Sequence, residues 1–214
     1  ATLGYASLSA DTQGATATAI GYAALLNQNF TTATVNYNVA MGYNAASSLT
    51  VGLNNVIIGG LAGDSLTDAD RNVAIGTSAL SADTLGSRST AVGYGALNAQ
   101  NFTTATSTYN TAVGYGAGIS VTTGSKNTLI GGFSGDSLQT GAFNVVLGYN
   151  ALGLDTEGTR SVAIGNDTLA AQNFTTTTSV NNVAVGHFAG NDITTGINNT
   201  LIGGFSGDNL TDAD

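Results

Sequence analysis

The chain has 214 residues, of which 42% are hydrophobic and only 8% charged, with 30 glycines, no proline, no cysteine and a net charge of −9 from 4 Lys plus Arg against 13 Asp plus Glu. So few cations argue against nucleic acid, whose phosphates need clustered Lys and Arg, and against docking on an anionic membrane. The lack of cysteine removes disulfides, thiolate metal sites and a Cys nucleophile, and no run of about 18 apolar residues is present to insert into a bilayer.

From the N-terminus, a short motif ending in glycine recurs. Its glycines are Gly4, Gly21, Gly42, Gly59, Gly76, Gly93, Gly114, Gly131, Gly148, Gly165, Gly186 and Gly203. The spacings are 17, 21, 17, 17, 17, 21, 17, 17, 17, 21 and 17, so three steps of 17 and one of 21 make a super-period of 72. Repeats at a fixed period are the signature of stacked architectures. The opening "ATLGYASL" shows no basic region followed by an apolar stretch, so no signal peptide is read there. The super-period divides residues 1–214 into three copies, roughly 1–70, 71–142 and 143–214. The last stops two residues short of completion, and the expectation is one repetitive segment of a longer fibre protein.

The apolar runs before these glycines, such as "NVAIG" (72–76), "STAVG" (89–93) and "NTLIG" (127–131), are short and β-branched, which predicts strands. Each step is long enough for two short strands and two turns, one coil of a β-solenoid of about twelve coils. The recurring glycines, Gly21 through Gly203, are read as structural turn positions. A second glycine seven residues earlier (Gly14, Gly52, Gly86, Gly124, Gly141, Gly158, Gly196) sits in polar strings that predict a second turn. Asn stands four residues before the motif glycine at 38, 55, 72, 110, 127, 144, 182 and 199, with Ala17, Ser89 and Ser161 as exceptions. Such a row predicts a ladder in which stacked Asn side chains hydrogen-bond one another and the neighbouring coil's backbone, set against Asn as simply a good turn residue. In "NVAIG" the large Val73 and Ile75 share one parity, expected to fill the space inside the coil. Ala74 takes the other. A strand apolar on both parities is covered on both faces, so a second copy of the chain is expected as partner.

The stretches "STAVGYGAL" (89–97), "NTAVGYGAG" (110–118) and "TTGSKNTLIG" (122–131) resemble the repeat arrays of phage tail fibres and the head repeats of trimeric autotransporter adhesins. The resemblance covers nearly the whole chain. It implies a left-handed parallel β-roll in a homotrimeric fibre, with the short strands toward the axis. It also implies a virion location and a non-enzymatic role supporting host attachment, with a host surface glycan or receptor as further partner. The alternatives are a bacterial cell-surface adhesin head and a self-assembling extracellular filament.

Few residues suggest chemistry, and neither a cofactor nor an enzymatic activity is expected. His187, the only histidine, fills a slot held by Tyr in six other coils (Tyr5, Tyr22, Tyr43, Tyr94, Tyr115, Tyr149), which suggests a partly exposed surface or rim ring, and Glu157 is the only glutamate. Asp64, Asp68 and Asp70 recur as Asp208, Asp212 and Asp214 and are a candidate calcium cluster, set against solvated turns. The 21-residue coils carry "QNFTT" insertions. There Asn29, Phe30, Asn101, Phe102, Asn173 and Phe174 are candidate receptor contacts, or else fold back over the roll edge.

Overall fold

The computed structural model describes residues 1–212. Among them there is no helix, and the chain forms a parallel β-solenoid of about twelve turns. It divides into two compact units, residues 1–109 and 110–214, with six coils each. In the first unit the strands Thr2–Leu3, Thr18–Ile20, Val39–Met41, Val56–Ile58, Val73–Ile75 and Thr90–Val92 pair in parallel, one per coil. In the second, Thr111–Val113, Thr128–Ile130, Val145–Leu147, Val162–Ile164, Val183–Val185 and Thr200–Ile202 do the same. The register is that of the motif: Val56 lies beside Val73 and Ile57 beside Ala74.

Each motif glycine ends its strand with φ between 123° and 147°. At Gly42 a methyl group would also lie 2.5 Å from the Gly59 carbonyl oxygen of the next coil. Backbone sign and coil spacing therefore both demand glycine.

The other side of the coil differs from the expected second strand. Among the described residues, strand pairing recurs there only beside the 21-residue coils, as Gly14–Ala15 with Thr34–Val35, Gly86–Ser87 with Thr106–Ser107, and Gly158–Thr159 with Thr178–Ser179. In every coil, the 21-residue ones included, the strand is followed by a turn in which the second and fourth residues after the glycine are left-handed, such as Ala23 (φ 54°) and Leu25 (φ 51°). That conformation costs a non-glycine residue about 1–2 kcal/mol. It persists because it turns these amides toward both flanking coils: the second residue's donates back, Ala23 N–H to Tyr5 C=O at 2.9 Å, and the fourth residue's donates forward. Leu25 N–H donates to Ala45 C=O at 3.1 Å, Ala46 to Ala62 at 3.0 Å and Gly63 to Ala79 at 2.9 Å.

The pleat is the reverse of the expectation for Val73 and Ile75. The middle residue of the strand points inward: Ala19, Ala40, Ile57, Ala74 and Ala91 are fully or almost fully buried, as are Ala112, Leu129, Val146, Ala163 and Ala184. Val73 and Ile75 face outward and are half-exposed. The coil is too thin for two large inward side chains from one strand, because leucines from the turn side already occupy it. Leu25, Leu80, Leu97, Leu152 and Leu169, four residues after their glycines, are buried. Where that slot is Gly, the strand or the following turn supplies the bulk. A methyl at Gly63 would meet Leu66 at 2.9 Å and Ile57 at 3.3 Å, and one at Gly190 would meet Leu201 at 2.8 Å. Large and small residues thus trade places from coil to coil to keep the interior filled.

The asparagine ladder forms as expected. Asn55 Nδ2 donates to the Ala69 carbonyl (2.8 Å), and its Oδ1 accepts from Asn72 N–H (2.9 Å). Asn127 repeats this with the Gly141 carbonyl (2.9 Å) and Asn144 N–H (3.0 Å). Each side chain closes its own corner and anchors the next coil, which satisfies these buried amides at both ends.

Candidate functional site

The outward parity makes a continuous stripe along each unit's sheet. In the first unit it carries Ile20, Met41, Ile58, Ile75 and Val92, with Thr18, Val39, Val56, Val73 and Thr90 beside them. In the second it carries Val113, Ile130, Leu147, Ile164 and Val185. Met41 is 38% exposed and Leu147 43%. Exposed rings stand directly after the motif glycine in seven coils and flank the stripe there. Tyr5 stacks on Tyr22, and Tyr22 on Tyr43, each at 5.4 Å between centroids. His187 holds the same slot, exposed, edge-on to Phe188 (4.4 Å) and Phe205 (5.5 Å). This row is a surface edge of stacked rings, as its usual Tyr suggests.

The insertions of the 21-residue coils turn inward at one residue and outward at the next. Phe30, Phe102 and Phe174 are only 5%, 9% and 8% exposed, so these rings cover the coil edge and are not free contacts. Asn29, Asn101 and Asn173 beside them are exposed.

Beneath each ring lies a polar pair that sequence reasoning did not single out. Gln28 Nε2 donates to Asp11 Oδ2 of the preceding coil at 2.7 Å, and Gln172 to Asp155 at 2.6 Å; Gln100 and Asp83 make the same pair at 2.5 Å. The other carboxylate oxygen accepts the Phe102 and Gly86 amides at 3.0 and 3.1 Å, and likewise the Phe174 and Gly158 amides at 3.0 Å. Burial pushes the Asp83 and Asp155 carboxyls above the usual carboxylate range, outweighing these hydrogen bonds. At Asp11, burial also raises, but the bonds from Gln28 and the Gly14, Phe30 and Gln13 amides win and hold it below that range.

The same pair explains the exceptions in the asparagine ladder. Ala17, Ser89 and Ser161 stand where a 21-residue coil follows. There the inserted amide reaches in: Gln100 and Gln172 donate to the Ser89 and Ser161 hydroxyls at 2.9 and 3.1 Å. Gln28 and Gln172 also accept from Asn38 and Asn182, each at 2.9 Å. The readable signal was the "DTQG", "DTLG" or "DTEG" turn that stands one short coil ahead of each glutamine.

The candidate calcium carboxylates do not converge. Asp70 Oδ1 accepts from Leu53 N–H at 2.8 Å, Asp68 is exposed, and Asp64 is half-buried. Asp212 accepts from the Thr194 and Thr195 hydroxyls at 2.7 and 2.9 Å, Asp208 accepts from Asn209 at 3.1 Å, and Asp214 lies outside the described residues. Among the described residues no group of three His, Cys, Asp or Glu side chains comes together.

No family model matches the chain, and no curated protein or solved structure matches it either.

Proposed function

We propose that this chain is a non-enzymatic structural segment of a virion fibre, of the phage tail or capsid type, that associates with two further copies of itself and supports host attachment. The outward apolar stripe carries this reading. A sheet facing water alternates apolar and polar residues, whereas here Ile58 and Ile75 face outward above an equally apolar interior. Contiguous exposed apolar surface of this kind marks an association site, and covering it gains about 0.8 kcal/mol per buried methylene. Three is the copy number implied by the resemblance to phage fibre repeats. Repetition in register with one bonding pattern suits a spacer, in which the same coil serves at every level.

Sedimentation equilibrium tests the association: the expected particle is three times the 21.2 kDa chain. Ile58→Glu with Ile75→Glu is expected to release folded monomers. A monomeric parent chain overturns the reading. Antibodies raised against the segment and used to label particles in the electron microscope test the location, with decoration of fibres expected; decoration of a bacterial surface instead sinks the virion assignment.

A further inference from the structure

All four basic residues of the chain, Arg71, Arg88, Lys126 and Arg160, stand five residues before a motif glycine (Gly76, Gly93, Gly131, Gly165). A coil offers many other positions, so that coincidence singles out one row. Its members are exposed and left-handed, with φ 58°, 66°, 60° and 63° for the four cations. The aromatic residues Tyr37, Tyr109 and Phe143 occupy the same row. The row lies at the corner where the chain enters the strand, at the strand end opposite the tyrosine row.

Within each unit the cations lie against the rings. In the first, the Arg88 guanidinium lies 5.7 Å from the Tyr109 ring centre. In the second, Phe143 has Lys126 at 4.8 Å and Arg160 at 5.9 Å. The arginines are also held from the side. Arg88 Nη1 donates to Ser107 Oγ, and Arg160 Nη1 donates to Ser179 Oγ, each across a 21-residue coil and at the same place in successive super-repeats. In the first unit these contacts frame a cleft of about 130 Å³ lined by Asp70, Arg71, Ser87, Arg88, Thr106 and Ser107. Arg71 is 3.9 Å from Asp70, a loose and exposed pairing that leaves most of its donors free.

We infer that this cation–aromatic row is, within each unit taken by itself, a binding ridge for an acidic saccharide, with the Arg71–Arg88 cleft of the first unit as the principal subsite. The inference rests on the reading of the chain as an exposed fibre segment and names the ligand class that such a segment meets. Guanidinium groups match sugar carboxylates in a bidentate fork. The Ser87, Thr106 and Ser107 hydroxyls and the Asp70 carboxylate suit sugar hydroxyls, and the face of Tyr109 suits the apolar side of a pyranose ring. The cleft is smaller than the roughly 300–1,000 Å³ that encloses a drug-sized ligand, so it seats one residue of a chain lying along the ridge. Coils advance by about 4.8 Å, comparable to one sugar residue of an extended glycan. A polyanion lacking sugar rings would use the cations and leave the hydroxyls and rings idle. Nucleic acid needs more positive charge than four residues on a chain of net charge −9 supply.

The test titrates the 214-residue chain with an oligogalacturonate hexamer, a neutral maltohexaose and a hexaglutamate peptide, following amide and arginine side-chain NMR shifts. The expected result is binding of the uronate alone, with shifts at Arg71, Arg88 and Tyr109. Arg71→Gln with Arg88→Gln is expected to weaken it by about tenfold or more, with circular dichroism and sedimentation unchanged. Equal binding of maltohexaose or hexaglutamate overturns the inference, as does the absence of any uronate binding. A double variant that changes the oligomeric state also overturns it, since the arginines would then serve contacts between copies. Each of these outcomes leaves the sedimentation of the parent chain, and hence the fibre reading, separately decided.

Discussion

Individual side chains show where the repeat is locked and where it is only copied. An asparagine such as Asn127 closes one coil and opens the next with two bonds. Leaving a buried partner unsatisfied costs about 1–3 kcal/mol, which explains why the slot changes only where a glutamine takes over. Asp83 and Asp155 are a different case, because burial keeps their carboxyls above the ordinary value. A carboxyl raised in the folded state binds its proton more readily there than in the unfolded chain. Between the ordinary value of 3.8 and the raised folded one, these two groups therefore add stability as pH falls, and that contribution is lost again as pH rises through the folded value. Asp11, held low, works in the opposite sense: its contribution is present above 3.8 and fades as pH falls through its folded value. Thermal melts of the parent and of Asp83→Asn with Asp155→Asn, taken down to pH 4, separate the two groups. The parent is expected to melt progressively higher relative to the double variant as pH drops toward 4, and a constant difference across that range contradicts the assignment.

At the scale of the element, a short strand and a glycine repeat twelve times, with three strand residues in eleven coils and two, Thr2–Leu3, in the first, and these were readable from the spacing together with the β-branched runs. So was the asparagine ladder, since one residue type filling the same slot in eight coils favours stacking over a mere turn preference. The direction of the pleat was not legible. Val73 and Ile75 are the larger side chains and invite an inward assignment. What reverses them is the bulk of Leu80 and Leu97 arriving from the turn side, and a leucine in a left-handed turn (φ 54° and 49°) carries no local signal for that conformation. The Asp–Gln pairs were hidden for a related reason: one partner sits in an ordinary-looking turn and the other in what reads as a surface insertion. The glycine itself can be tested at two places that share a backbone conformation and differ in surroundings. Gly131 has φ 129° and a methyl there would lie 2.4 Å from the Gly148 oxygen; Gly203 has φ 123° and no described atom within 4 Å. Gly203→Ala is expected to cost only the backbone strain, about 1–3 kcal/mol. Gly131→Ala adds separation of two paired coils and is expected to cost distinctly more, measured as the difference in denaturant midpoint. Equal costs would mean that backbone sign alone explains the repeat.

At the scale of the whole chain, a solenoid's stability is a sum over coils and the contacts between neighbours, so the unit that can be removed is one full coil and nothing less. Deleting Val56–Asn72 joins Asn55 to Val73 and brings the Gly42 coil onto the Gly76 coil. Val39 then meets Val73, Ala40 meets Ala74, and Asn55 finds the Gly86 carbonyl in place of Ala69, as Asn72 does at 2.9 Å now. Deleting Thr18–Asn38 instead removes a 21-residue coil and with it Gln28 and Phe30, leaving the Asp11 carboxylate and the edge it caps without their partners. Both shortened chains keep the strand register. The first is expected to fold with a modestly lower melting temperature, as befits one coil fewer. The second should fall further, since a polar group stripped of its partner costs about 1–3 kcal/mol and a lost buried phenyl about 3–5 kcal/mol. If both deletions lowered the melting temperature equally, the 21-residue coils would be mere length variants, and the lock between each aspartate and its glutamine would have no structural weight.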